Sequence, residues 1–368
     1  MPHHPYEALY IHIPFCASKC HYCDFDSLPY RANDPYLTEY FEGLITQIRT
    51  LSKEGELARV RTVYVGGGTP THAGSKHLTS LLYALGVSMD LAGVEELTVE
   101  ANPESLTEPL VRDLWTLGAN RISLGVQTFD DELLTSIGRP HDGAQAVRAL
   151  EAAQTRFTNV SMDLMCGLPG QTVEGFEADV RQGVDAGVSH LSVYPLSLER
   201  GTRLYQRRRR FSFPDEDAQA DMMESAERIL EGAGLARYEV ASYARPGAES
   251  KHNSAYWQGV PYLGIGRSAV TMTQNDQRRM RVRDGAVEDD LDAAQMAAED
   301  AMLAMRMTRG LAKERAARMH GLLPDLPSVL QELAAEGLVQ ETEDAWRPTH
   351  RGWLFGNRLF GALLDLAS

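Results

Sequence analysis

The first two hundred residues alternate between short β-rich runs and amphipathic helical runs. That alternation confines the chain to α/β folds with parallel strands and right-handed crossovers. Residues 9–13, 62–65, 97–101, 121–126, 160–165 and 191–194 read as six strands. Asp34 followed by Pro35 predicts a helix start, with Leu37, Tyr40, Phe41, Leu44, Ile45 and Ile48 on one apolar face. Further helices are expected over 76–85 with Ser75 as cap, over 107–117 up to Gly118, over 142–153, and after Gln171. A partial TIM-like barrel of six βα units is the first expectation and a doubly wound sheet the second. Periodicity alone does not separate them. Cys16, the Gly66 turn, Glu100, Gln127 and Asp163 fall near the C-terminal ends of five different strands, the rim where a βα barrel carries its chemistry, and this favours the barrel.

Beyond about residue 204 the pattern changes. Residues 207–210 form a basic run beside the acidic stretch 214–217, read as a solvated loop. A helix is expected near 218–231, followed by an aromatic, glycine-bearing segment over 238–266. From about 293 the chain reads as a small, mostly helical domain: a helix over 326–337, a hairpin over 338–346 and a last helix over 351–364. That order is winged-helix-like, but no recognition helix is basic, so a packing role is expected. The expected domains are 1–205, 206–290 and 291–368. With 368 residues and a net charge of −15, the surface as a whole repels nucleic acid and anionic membrane. No run approaches the roughly 18 apolar residues of a membrane helix. The first residues lack a secretory layout, so a cytoplasmic location is expected. His3 and His4 read as a frayed end.

Three of the four cysteines lie within eight residues, as Cys16-x-x-x-Cys20-x-x-Cys23. Thiolates so spaced on a short loop suit an iron–sulfur cluster, and three of them leave one iron of a 4Fe–4S cube open. Zinc is the competing metal, with His21 as a fourth ligand awkwardly placed between two cysteines. Gly66-Gly67-Gly68-Thr69-Pro70 follows a strand, and its successive N–H groups could receive a carboxylate or phosphate. Glu100, Gln127, Arg139 and Asp163 could bind an amino group, ribose hydroxyls and a carboxylate. Cys166 reads as a buried, inert thiol, and Met302, Met305 and Met307 as core.

These residues together resemble the radical S-adenosylmethionine (SAM) superfamily. More narrowly they resemble the family of oxygen-independent coproporphyrinogen III oxidase and its HemW-type heme chaperone branch. The segments that carry the resemblance are Tyr10-Ile-His-Ile-Pro-Phe-Cys16, the three-cysteine run, Gly66-Gly-Gly-Thr-Pro-Thr71, Gly125-Val-Gln-Thr-Phe129, Asp163-Leu-Met-Cys-Gly-Leu-Pro-Gly-Gln-Thr172 and His252-Asn-Ser-Ala-Tyr-Trp257. The resemblance implies that SAM chelates the open iron of a 4Fe–4S cluster and is cleaved to a 5′-deoxyadenosyl radical. It implies SAM contacts from Tyr10, the backbone of Tyr22, Gly67, Gly68, Thr69, Glu100, Gln127, Arg139 and Asp163, with Ser197 a weaker match.

In the oxidase a fourth cysteine follows the third as Cys-x-Cys. Here Asp24 and Phe25 follow Cys23, and only nine residues precede Tyr10. Both features lean toward the chaperone branch, with oxidative decarboxylation of coproporphyrinogen III as the alternative. By itself His252 reads as a packed or surface histidine. The resemblance makes it an axial heme ligand. The implied partners are heme or porphyrin, a heme-acceptor protein and an electron donor such as flavodoxin or ferredoxin. Where relatives commonly carry Gly-Ala-His, this chain has Gly264-Ile-Gly-Arg-Ser-Ala-Val270.

Overall fold

The computed structural model describes residues 3–31 and 34–367. Strands β1 (Ala8–Ile13), β2 (Thr62–Gly67), β3 (Glu96–Ala101), β4 (Arg121–Gln127), β5 (Asn159–Cys166) and β6 (His190–Pro195) lie side by side in chain order, all parallel. A doubly wound sheet requires a point where strand order reverses. None occurs among these six, so right-handed crossovers set their helices on one face and the sheet forms the partial barrel. The pleat explains which residues face inward. On β4, Ile122, Leu124 and Val126 are buried in the apolar core under the helices, while Arg121, Ser123, Gly125 and Gln127 take the other face.

Helix α1 (Pro35–Glu54) starts as expected, with the Asp34 carboxylate accepting from the Tyr36 N–H. Helix α2 (Gly74–Ser88) starts earlier than expected and has no side-chain cap, because Ala73 stands at the cap position; Ser75 lies inside the first turn and its hydroxyl donates to Asp113. Helices α3 (Glu108–Thr116), α4 (Asp131–Ser136), α5 (Gly143–Gln154) and α6 (Val173–Asp185) complete the crossovers. Thr107, Asp130, Asp142 and Thr172 cap them, and Gly118 follows α3 at φ 95°. The 207–210 run is not a loop. Helix α7 (Arg203–Arg207), capped by Thr202, leads directly into a 3₁₀ turn over Arg208–Arg210, because Leu204 is drawn into the interior.

Residues 206–290 add strands to both edges of the same sheet. Helix α8 (Glu216–Gly232) precedes β7 (Ala236–Arg237) and β8 (Ser242–Ala244), and β8 runs antiparallel to β6. Helix α9 (Lys251–Trp257) then carries the chain to the opposite edge, where β9 (Tyr262–Ile265) lies parallel to β1. An antiparallel ribbon of β10 (Val270–Gln274), β11 (Arg278–Arg283) and β12 (Ala286–Asp292) continues outward. The sequence reading missed this ribbon. Apolar alternation is confined to Val270 and Met272 on β10 and to Met280 and Val282 among the arginines of β11, and β12 is acidic and almost wholly exposed, so the strand signal is short and diluted by charge. The N-terminal histidines are not frayed either: the His4 N–H donates to the Gln274 carbonyl at 2.7 Å.

The C-terminal region follows the winged-helix order. It comprises α10 (Ala293–Ala304), β13 (Leu311–Ala312), α11 (Lys313–Met319), α12 (Leu326–Ala335), the hairpin β14 (Val339–Glu341) and β15 (Ala345–Pro348), then α13 (His350–Leu354) and α14 (Gly356–Leu364). The single last helix expected over 351–364 is broken at Phe355. This region has its own apolar core around Met305, Leu311, Leu330, Leu333 and Leu359. Met302 packs against that core and Met307 is buried, so all three methionines are packing residues. Among the described residues no helix is long and apolar enough to cross a membrane.

Candidate functional site

Beyond the end of β1 the chain forms a loop through Cys16, Cys20 and Cys23. Phe15 and Cys16 pair in parallel with Leu28 and Pro29, which closes the loop at its base. The His21 N–H donates to the Ile137 carbonyl at 2.8 Å, and Tyr22 packs on the buried Ile137, Met165 and Leu168. Gly138, at φ 74°, leaves room for the His21 ring, which a Cβ there would meet at 2.8 Å. All three thiols are partly exposed and none is in a disulfide. Burial pushes the Cys16 and Cys23 thiols up, against hydrogen bonds from Thr69 and the Phe25 backbone respectively. Cys166 is fully buried and its thiol is pushed up to about 12, as an inert core cysteine requires.

The three cysteines line one cleft of about 150 Å³ together with Tyr22, Gly67, Gly68, Thr69, Glu100, Gln127, Arg139 and Asp163. Eleven of the fourteen residues singled out in the sequence therefore meet at the C-terminal rim of the barrel. The glycines make the close approach possible. A Cβ on Gly67 would stand 2.6 Å from the His12 ring, and one on Gly68 would stand 2.8 Å from the Phe15 carbonyl oxygen. The turn does not offer the anion nest expected of it. The Gly67 N–H donates to Glu100 at 2.9 Å, the Gly68 N–H to the Ile13 carbonyl at 2.8 Å and the Thr69 N–H to the Phe15 carbonyl at 2.8 Å.

Glu100 also accepts from the Tyr64 hydroxyl at 2.7 Å, and burial raises its carboxyl to about 7 despite both donors. Burial likewise raises Asp163, against Arg121 and the hydroxyls of Ser192 and Ser123. Arg139 donates to the Asn102 carbonyl oxygen at 2.8 Å, to the Gly125 carbonyl at 2.6 Å and to the Cys20 sulfur at 3.6 Å. Its Nε is buried without a partner. Burial alone would lower Arg139, but Tyr22, Cys20 and Glu104 around it outweigh that and hold it charged. Gln127 sits at φ 69°, beside a register slip between Gly125 and Gln127. A non-glycine residue in that region stores strain, and the bulge re-aims the strand end at the cleft.

Asn102 and Glu104 also line the cleft, and Asn102 donates to the Thr69 hydroxyl at 2.8 Å. The sequence reading passed over both. The available signal was Asn102 standing two residues after Glu100, just past the end of β3 and in step with its alternation.

Three singled-out residues lie elsewhere. Ser197 is exposed and bonded to Glu199. Tyr10 donates to or accepts from His12 Nδ1 at 2.9 Å and lines a second cleft. His252 is buried on α9, with Nδ1 bonded to the Thr62 hydroxyl at 2.9 Å and Nε2 to the Tyr256 hydroxyl at 2.9 Å. Its ring stacks on Tyr64 at 5.1 Å, and burial lowers its pKa to about 3. With both nitrogens engaged it is a packed histidine in this conformation, and it offers no open axial position to a heme iron.

The second cleft, of about 590 Å³, is lined by Tyr10, Tyr256, Trp257, Tyr262 and Met272, with Arg281 and Arg283 among its polar groups. Phe25, two residues beyond Cys23, lines both clefts.

The cysteine cleft fits an iron–sulfur cluster and a zwitterionic ligand. It brings three thiols, a carboxyl of raised pKa and an arginine with a spare donor to one place. Among the described residues no group of three or more His, Cys, Asp or Glu side chains could share one metal ion. A cubane binds each thiolate at a separate iron, so no common point is required.

The profile of the radical SAM superfamily matches residues 10–182, and that of the HemN C-terminal domain matches residues 291–355. The heme chaperone HemW of Bacillus subtilis (strain 168) is 36% identical over 378 residues, covering 97% of this chain and 99% of that protein. HemW of Escherichia coli (strain K12) is 33% identical over 372 residues, covering 97% and 98%. Among solved structures, E. coli coproporphyrinogen III oxidase (HemN) superposes with a TM-score of 0.81 at 21% identity, over 98% of this chain and 90% of that one. The last match concerns the fold alone. With its strand order, its cysteine cleft and these end-to-end similarities, the chain belongs to the radical SAM superfamily, in the HemW branch.

Proposed function

We propose that this protein is a heme chaperone that carries a 4Fe–4S cluster on Cys16, Cys20 and Cys23, binds SAM in the same cleft, and passes heme to an acceptor protein. The observation that carries the reading is the end-to-end similarity to HemW heme chaperones, joined to Asp24 and Phe25 in place of a fourth cysteine. Bound in the cleft, the cluster would supply one electron to the sulfonium of SAM. Glu100, Asp163 and Gln127 are placed to accept from or donate to hydroxyl and amino groups of that ligand, and the unpartnered Arg139 Nε to hold its carboxylate. Thiol ligands of this kind suit a reducing cytoplasm.

Heme fits the second cleft better than a ligation by His252. Tyr256, Trp257 and Tyr262 offer aromatic faces to a porphyrin, and Arg281 and Arg283 offer donors to its carboxylates. His252 would then act through its hydrogen bond to Tyr256, as a positioning residue.

The deciding experiment gives anaerobically reconstituted protein both heme and coproporphyrinogen III. Stoichiometric heme uptake without protoporphyrinogen is the expected result, and repeated turnover to protoporphyrinogen would overturn the chaperone reading. In a parallel heme titration, His252→Ala is expected to keep the Soret band of wild type. A lost or shifted band would return the imidazole to the iron. About four irons per chain are expected, lost on replacing Cys16, Cys20 or Cys23 and kept in Cys166→Ser.

A further inference from the structure

The chain carries 15 more acidic than basic charges, yet six arginines crowd into residues 200–210: Arg200, Arg203, Arg207, Arg208, Arg209 and Arg210. None of the six makes an ion pair among the described residues, although most other arginines are paired. Five are exposed. Arg208 is half-buried, lies over the Tyr205 ring at 3.9 Å and donates to the Tyr205 carbonyl at 2.8 Å. Unpaired like charges side by side repel one another, and an anionic partner would relieve that cost.

The patch is anchored, and its anchor is the cysteine loop. The Leu204 N–H donates to the His21 carbonyl at 2.7 Å, between Cys20 and Cys23 in sequence, and the Leu204 side chain is buried. Beyond the arginines, the Ser212 carbonyl accepts from the Gly170 N–H at 2.9 Å. A cationic segment anchored at both ends thus abuts the loop that holds the thiols.

We propose that this arginine face docks a small acidic protein that delivers single electrons to the cluster on the adjacent loop. The proposal rests on the cluster reading given above. In each encounter the carrier is oxidised by one electron and the cluster reduced by one. Complementary charge gives such transient complexes speed and orientation, with a small interface that releases readily. A lipid surface is the less favoured occupant, because membrane-binding segments pair basic residues with exposed apolar ones. Within 200–213, Tyr205, Phe211 and Phe213 are only partly exposed and no large apolar side chain stands free.

The test compares wild type with the triple variant Arg207→Gln, Arg209→Gln, Arg210→Gln. A control with the same charge change is Arg112→Gln, Arg318→Gln, Arg358→Gln. Bacterial flavodoxin serves as the acidic carrier. Its binding in the oxidised form is measured at low salt and at about 0.5 M salt, and cluster reduction is followed with reduced flavodoxin and with dithionite.

The patch variant is expected to bind flavodoxin roughly tenfold more weakly, to accept its electrons correspondingly slowly and to lose most of the salt dependence. Dithionite reduction should be unchanged, and the control should behave as wild type. Equal binding and equal rates in the patch variant would overturn the proposal. So would patch-dependent binding to phosphatidylglycerol vesicles with no binding to flavodoxin. Wild-type protein free of iron and sulfide would bring down the cluster reading and this proposal with it. A loaded cluster whose reduction ignores the patch would sink the docking proposal alone.

Discussion

Two titratable side chains show what burial does at single positions. Glu100 lies in the cysteine cleft with its carboxyl raised to about 7 by burial, so below that pH it is protonated and loses acceptor capacity. A ligand that donates to Glu100 needs the carboxylate, so affinity should rise with pH through 7. Equilibrium binding of SAM to the anaerobic holoprotein is expected to tighten about tenfold from pH 6 to pH 8, and Glu100→Gln should bind weakly with no such slope. A slope retained in Glu100→Gln would assign the titration to another group. His252 is the opposite case. Its pKa falls to about 3 from an unfolded value near 6.5, so its contribution to stability is complete above 6.5 and is lost progressively as pH falls toward 3. At pH 5 the loss should reach roughly 2 kcal/mol. Urea titrations at pH 7.5 and 5 should show that loss in wild type and a smaller one in His252→Gln. His190, also lowered by burial, supplies a background common to both proteins.

At the scale of elements, the loop after Cys23 is held from outside the barrel strands. Arg267, at the turn after β9, pairs with Asp26 at 2.9 Å, and the Ser268 hydroxyl donates to the same carboxylate. The arginine of this turn thus holds the segment that follows the cysteine loop. The pair is largely exposed, so Asp26→Ala should lower the melting temperature by only about 2 °C. The reconstituted cluster should nonetheless bleach several-fold faster in air, followed by visible absorbance. Unchanged bleaching would mean that the loop is held by its own base. The same contrast explains what was legible in the sequence. The six parallel strands, the cap Asp34, the helices after residues 107 and 142, and the cleft residues at strand ends follow local rules: apolar runs, a short polar cap and strand polarity. What was not legible depends on partners far along the chain. In the ribbon β10–β12 only short alternating runs survive among charged residues, Ser75 is taken by Asp113 of a neighbouring helix, and the ring nitrogens of His252 are engaged by Thr62 and Tyr256. Nothing in the spacing of these residues announces those contacts.

For the whole molecule, the decisive junction is where the ribbon meets the C-terminal region. Arg279 of β11 is fully buried and donates to Gln274 at 2.7 Å, to Asp300 at 2.8 Å and to Glu299, the two carboxylates both belonging to α10. Gly259, just after α9, stands so close that a Cβ there would meet Asp300 at 2.7 Å and Arg279 at 2.8 Å. One guanidinium therefore ties together the ribbon, the end of α9 and the first helix of the winged-helix-like region. Removing one member of a buried ionic set leaves the others uncompensated, which typically costs about 3–5 kcal/mol. Here Glu299 keeps Arg281 at 2.8 Å and Asp300 keeps Arg315 at 2.8 Å, which places the expected loss for Arg279→Met near the lower end, about 3 kcal/mol. Because the lost contacts join two cores, the damage should be uneven. Limited proteolysis of Arg279→Met should release a fragment beginning near residue 291 earlier than in wild type, while iron content stays at the wild-type level. If the variant instead lost its iron at the same denaturant concentration that freed the fragment, the two cores would be one cooperative unit, and the ribbon would transmit stability to the cysteine loop through β9 and the Arg267 turn.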